Sequence, residues 1–194
     1  MKLALTAPLR AGKSEAAGYL STYYDFQTFA FSDELKAAFH RAFPSVPEEP
    51  KPRAYYQKFG QWAREAFGEN VWIDACMAKI DAYMALFSRD CDCGLSPVLK
   101  NRVLIEDVRQ QNEYDRLRAE GFTIVRITAP EELRIERARK AGDDFDLTAL
   151  EHPTEKALQT FDVDYEIMND GTYEQLYAKL DELMVELLGG SVAT

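Results

Sequence analysis

Residues 7 to 14 read Ala-Pro-Leu-Arg-Ala-Gly-Lys-Ser, between the short apolar run Leu3-Ala4-Leu5 and a helix-like stretch, Glu15 to Leu20. A loop that follows a strand and opens a helix on Gly-Lys-Ser is built to hold phosphate. Backbone N–H groups at the helix start cradle the anion, the Lys13 ammonium reaches the outer phosphates and the Ser14 hydroxyl can ligate Mg²⁺. The full pattern asks for glycine at its first position, where this chain has Ala7, so the match rests on Gly12, Lys13 and Ser14. Alanine suits the first position if its φ stays negative. The plainer alternative is an ordinary strand-to-helix turn with Ser14 in the first helical turn.

The same alternation continues along the chain. Apolar runs at 2–6, 27–31, 102–106, 123–128 and 164–168 read as strands. Helical patterns cover 12–22, 33–43, 53–67, 72–88, 111–119, 131–141, 154–160 and 172–188. Strands alternating with helices predict an α/β fold, a small doubly wound parallel sheet of five strands with helices on both faces. Four of the eight prolines (Pro44, Pro47, Pro50 and Pro52) fall between Phe43 and Arg53, which predicts a stiff surface loop there. Residues 89–97 read as a second loop, and no internal repeat is present.

With 194 residues, 46% of them hydrophobic, the chain can bury one sizeable core, and a single domain over 1–194 is expected. Its net charge of −10 argues against a nucleic-acid polymer or an anionic membrane as partner, since either needs a dominant positive field. No run of about 18 apolar residues exists and the N-terminus lacks a signal-peptide pattern, so a cytoplasmic location is expected. Three cysteines (Cys76, Cys91 and Cys93) do not make a complete disulfide framework, and Cys91-Asp-Cys93 has no second pair at zinc-like spacing.

In open parallel sheets ligands collect beyond the carboxyl ends of the strands, so residues just after each strand are the candidates for chemistry. After the third strand come Glu106-Asp107-Val108-Arg109, where Asp107 is the expected Mg²⁺-side carboxylate and Arg109 a phosphate clamp. Asp107 beginning a turn into the next helix is the alternative, and Glu106 could take its place as the carboxylate. After the second strand, Ser32 or Asp33 is a good helix cap. The helix at 131–141 carries Arg134 and Arg137 three apart on one face, able to present two guanidiniums to a phosphoryl group; an ordinary salt-bridged helix with Glu131, Glu132 and Glu136 is the alternative. Tyr55, Tyr56, Gln57, Phe59, Gln61, Trp62 and Arg64, followed by Trp72, read as an aromatic and amide-rich helix face, some of it core. Two histidines, His40 and His152, and no nucleophile elbow leave acyl transfer without support.

Taken in order, Ala11-Gly12-Lys13-Ser14, Phe31-Ser32-Asp33-Glu34-Leu35-Lys36, Gln57 to Arg64, Val71-Trp72-Ile73-Asp74, Asp107-Val108-Arg109, the arginine helix, His152-Pro153-Thr154-Glu155 and Asn169-Asp170-Gly171-Thr172 resemble the deoxynucleoside monophosphate kinases of bacteriophages, within the P-loop kinase group. The resemblance spans about residues 2–180. It implies a three-layer P-loop fold with an acceptor-binding region near 32–90 and a lid near 131–155. It also implies transfer of the ATP γ-phosphoryl group to a (deoxy)nucleoside monophosphate, dependent on Mg²⁺, in the cytoplasm (the host's, if phage-encoded). By the same likeness Ala11, Gly12, Lys13 and Ser14 hold the ATP phosphates, Ser14 and Asp107 serve the metal, and Asn169, Gly171 and Thr172 hold the adenine. Lys13, Arg109, Arg134 and Arg137 would act on the transferring group, and Ser32, Asp33, Gln57, Arg64, Trp72 and Arg109 would form the acceptor site. The implied partners are small nucleotides, with a homodimer left open. Thr154 stands where that pattern has serine. The nearest alternatives are P-loop kinases acting on dephospho-coenzyme A or phosphomevalonate, and a nucleotide-binding protein without turnover.

Overall fold

The computed structural model describes residues 1–88, 101–141 and 158–189. Five strands, β1 (Lys2–Thr6), β2 (Gln27–Phe29), β3 (Val103–Val108), β4 (Thr123–Thr128) and β5 (Tyr165–Met168), form one sheet in the order β2-β3-β1-β4-β5. Every pairing is parallel. The labelled helices are α1 (Lys13–Tyr24), α2 (Phe31–Ala42), α3 (Arg53–Phe67), α4 (Val71–Ser88), α5 (Gln111–Ala119), α6 (Glu131–Lys140) and α7 (Tyr173–Leu187).

The central strand explains the layering. Side chains alternate across a strand, so Leu3 and Leu5 pack on one face against Leu20 of α1 and Leu176 and Leu180 of α7. Ala4 points to the other face, where Ile73, Met77 and Ile80 of α4 and Leu117 of α5 close the second core. Both faces of β1 are therefore dry, which is why its sequence is a continuous apolar run. Each fully buried leucine contributes roughly 2 kcal/mol by removal of its surface from water.

β1 lies between β3 and β4, and the chain leaves it into the loop at 7–12, so the phosphate loop opens where the strand order reverses. The Pro-rich segment ends as expected, with α3 starting directly after Pro52.

The boundary between β2 and α2 differs from expectation. β2 stops at Phe29 and α2 begins at Phe31, with Ala30 at the N-cap and no local side-chain cap. Ser32 and Asp33, expected as caps, lie inside the helix. The cap comes from β3: the Asp107 carboxylate accepts the N–H groups of Phe31 at 2.9 Å and Ser32 at 3.0 Å. A carboxylate supplied from another strand satisfies those donors as well as a local serine would, and its negative charge suits a helix start. Cys91, Cys93, His152, Thr154 and most of the expected helix at 154–160 lie outside the described residues.

Candidate active site

The loop leaving β1 is shaped by two residues with positive φ, Arg10 at 61° and Gly12 at 100°. Ala7 keeps a negative φ and is buried in the core, so the missing first glycine costs nothing in backbone freedom. Gly12 is required: a Cβ there would lie 2.2 Å from Nδ2 of Asn169. Arg10 occupies the third position of a turn closed by Ala11 N–H donating to the Pro8 carbonyl at 3.2 Å, where glycine or asparagine is the easy choice. An L-residue with a long side chain pays about 1–2 kcal/mol for that conformation.

Asn169, at the end of β5, is buried, and it ties the loop to the sheet. Its Nδ2 donates to the Ala11 carbonyl at 2.8 Å, and its N–H donates to Thr128 at 2.7 Å. Arg137 Nη2 in turn donates to both the carbonyl and Oδ1 of Asn169, each at 3.3 Å. One buried amide thus joins the phosphate loop, β5 and the arginine helix.

Around this loop opens a cleft of about 800 Å³. Its cations are Arg10, Lys13, Arg53, Arg109, Arg137 and Lys140; the one carboxylate among its lining residues is Glu15, which accepts a hydrogen bond from the Tyr177 hydroxyl. Six cations gathered in a chain of net charge −10 make a focused anion site. Arg137 Nη1 is buried with no protein acceptor among the described residues.

Lys13 donates its Nζ to the backbone carbonyl of Glu106. Burial, then the neighbouring Arg109 guanidinium, push its ammonium down to about 8, while Asp107, Glu106 and Glu113 pull the other way. The cation is thus under-compensated until an anion arrives. Burial also raises the Glu106 carboxyl. Glu113, buried at the start of α5, accepts the N–H groups of Arg109 at 2.7 Å and Gln110 at 2.9 Å, fixing the turn that carries Arg109. Burial pushes its carboxyl up to about 7, against those two donors.

The structure therefore brings Ala11, Gly12, Lys13, Ser14, Arg109, Arg137 and Asn169 to one cleft. Other expected residues do not line it. Arg134 sits behind, its Nη1 reaching the Leu9 carbonyl at 3.4 Å. Thr172 caps α7 in a reciprocal pair with Gln175, and Gly171 leaves room for the Gln175 amide. Trp72 is buried, with its Nε1 donating to the Gly60 carbonyl at 3.2 Å. Asp33 is paired with Lys36 at 2.7 Å. Sequence reasoning missed Arg10, Arg53, Lys140 and Tyr173, which line the cleft.

The residues of α3 do not share one face. At about 100° per residue, Arg53, Gln57, Gly60 and Arg64 fall within about 60° of one another, and Tyr55, Phe59 and Trp62 lie on the opposite side. Arg53 lines the phosphate cleft, so Gln57 and Arg64 continue its face along the helix. The spacing of Arg53 ahead of Gln57 was the signal that could have found it.

A metal at this cleft has the Ser14 hydroxyl to hand, whereas both oxygens of Asp107 already accept N–H groups. No cluster of three or more His, Cys, Asp or Glu suited to a metal occurs among the described residues. That donor set fits Mg²⁺, which keeps most of its waters and is carried largely by substrate phosphates.

A family model described as deoxynucleotide monophosphate kinase matches residues 69–180. A UPF0200 protein of Sulfurisphaera tokodaii is 24% identical over 196 residues, covering 96% of this chain and 97% of that protein. Among solved structures, a shikimate kinase from Aquifex aeolicus superposes with a TM-score of 0.51 at 16% identity, covering 97% of each chain. A sugar kinase from a Janibacter species gives a TM-score of 0.50 at 15% identity, covering 99% of this chain and 97% of that one. These structures share the fold. No helix among the described residues is long and apolar enough to cross a membrane.

Proposed function

We propose that this chain, which belongs to the deoxynucleotide monophosphate kinase family, transfers the γ-phosphoryl group of ATP to a deoxynucleoside monophosphate, giving the diphosphate and ADP. The observation that carries this reading is the cationic cleft, in which the phosphate loop and Lys13 meet Arg53, Arg109 and Arg137 from three other elements. One nucleotide needs fewer positive charges than two phosphate chains brought end to end.

Phosphoryl transfer asks the protein for alignment and charge rather than for a nucleophile of its own. Gly12, Lys13 and the first N–H groups of α1 hold the donor phosphates, with Ser14 as the protein's ligand for Mg²⁺ and Asp107 shaping the site through α2. The metal, when bound, neutralises charge across the donor phosphates. Arg53 and Arg109 draw in the acceptor phosphate, and Gln57 and Arg64, farther along the same α3 face, meet its nucleoside. Arg137 supplies charge to the phosphoryl group in flight, with Arg134 behind it bracing the loop at Leu9. Ser32 and Asp33 border the acceptor side at the start of α2, and Trp72 holds α4 to α3 behind it. Asn169, with Gly171 and Thr172, sets the loop beside the donor base. An oxygen of the acceptor phosphate bonds to the γ-phosphorus as the bond to the bridging oxygen breaks, and that electron pair leaves with ADP. The acceptor oxygen is already anionic, so no strong base is needed.

The test is ADP release from ATP and Mg²⁺ against dAMP, dGMP, dCMP, dTMP and their ribose counterparts. Turnover with any of them supports the reading and ranks the bases. Silence across the panel, followed by turnover of dephospho-coenzyme A or phosphomevalonate, would replace it; binding of ATP without any turnover would make the protein a nucleotide-binding module.

A further inference from the structure

We propose that Arg10 is a catalytic arginine supplied by the phosphate loop itself, contacting the phosphoryl group during transfer; this rests on the kinase reading above. Two independent observations point there. The first is conformational. Arg10 holds φ 61° at the third position of the turn Pro8 to Ala11, where glycine would relax the backbone. A long cation kept in a left-handed conformation at a ligand-facing loop is a sign that the side chain is needed there. The second is location. Arg10 lines the same cleft as Lys13, Arg109 and Arg137, and it reaches that cleft from the loop that would wrap the donor phosphates.

Two neighbouring cations that also serve the transfer are anchored from other elements. Arg137 Nη2 is held by both the carbonyl and the side chain of Asn169, and Lys13 is anchored on the Glu106 carbonyl. Arg10 is carried two residues before Gly12, on the turn Pro8 to Ala11 at the mouth of the same cleft. A guanidinium there gains most when charge moves from the γ-phosphoryl group toward the bridging oxygen, because it can hydrogen-bond both through its planar fork. The bond changes are those of the transfer itself, and Arg10 gives up no proton.

The conformation makes the test unusually clean, because Arg10→Gly removes the guanidinium while relieving the backbone. The expected result is a fall in kcat of about 10²–10³-fold with KM for ATP within about threefold and Tm unchanged or higher. Arg10→Lys, which keeps charge but not the fork, should lose about tenfold. Calorimetry gives a readout apart from turnover: Arg10→Gly should bind Mg²⁺ and ADP as the parent does, yet lose about 10²-fold in affinity when aluminium fluoride and the acceptor are added to mimic the group in transfer. An active parent with Arg10→Gly within threefold in kcat overturns the proposal and leaves the kinase reading standing. Equal losses for ADP alone and for the mimic overturn it in favour of simple binding, and a large drop in Tm overturns it in favour of a structural brace. A parent silent on every acceptor overturns the kinase reading and the proposal together.

Discussion

The cleft at the phosphate loop and the groove between α2 and α3 are both large, about 800 Å³ and about 580 Å³, yet they are opposites in chemistry. The cleft is walled by backbone and cations. The groove is walled by Phe39, Phe43, Val46, Tyr55, Phe59 and Trp62, with Lys58 as its one charged residue. A single helix serves both, presenting Arg53 to the first and Tyr55, Phe59 and Trp62 to the second. The difference teaches that aromatic content alone does not locate a cleft rich in cations. Phe59 packs on Phe39 at 5.6 Å and on Trp72 at 5.8 Å between ring centroids, so these rings spend their surface on each other.

The comparison breaks most sharply at Lys13. On the proposed reading, Lys13→Ala should lower kcat by more than about 10³-fold, since it removes the cation assigned to the transferring phosphates. Its Tm should hold or rise, because the parent bears an ammonium that burial pushes down to about 8. Steady-state kinetics beside a thermal melt checks both, and near-normal turnover would remove the cleft from the chemistry. Next comes Arg137→Ala, expected to cost about 10²-fold in kcat with a smaller rise in KM. A change in KM alone would move Arg137 from transfer to binding.

Asn169 tests the cleft's scaffold rather than its charge. Asn169→Ala strands the Ala11 carbonyl and leaves Arg137 with only the backbone carbonyl of residue 169, and should destabilise the fold by about 1–3 kcal/mol in urea titration. A loss well below that would mean the loop holds its shape without the amide.

Much of this was legible in the sequence, for reasons that differ by element. The strand and helix order follows from apolar periodicity, and all five strands lie where the runs predict because every one is packed against a core. That Lys13 and Ser14 face one cleft was legible because a Gly-Lys-Ser loop between a strand and a helix has a fixed local pattern. The cap of α2 was not, since Asp107 is 76 residues away from Phe31 and no local rule links them. Arg10 was hidden inside the motif, at a position the pattern leaves open. The faces of α3 were blurred because Tyr55, Gln57 and Phe59 look like neighbours in sequence but point in opposite directions around the helix.

Glu113 gives a pH signature confined to the cleft side. Its carboxyl stands at about 7 against 4.5 in an unfolded chain, so the native state holds an extra proton between those values. Stability from this group is therefore full below pH 4.5 and declines as pH rises toward 7. Glu113→Gln should flatten that decline in melts taken between pH 5 and 7, at a cost of about 1 kcal/mol for two weakened hydrogen bonds. An unchanged slope would mean another group titrates there.

The smallest effect is expected in the groove, and it completes the comparison. Trp62 is 55% exposed and lies on the side of α3 opposite Arg53. Trp62→Ala should leave kcat and KM within about twofold of the parent, because no charge or contact of the cleft depends on it, and a mostly exposed ring contributes about 1 kcal/mol or less to the fold. Kinetics on the best acceptor decides the matter. A tenfold rise in acceptor KM would return the aromatic side of α3 to the substrate site and require the helix to turn on binding; parity would leave the nucleotide to the face that carries Arg53, Gln57 and Arg64.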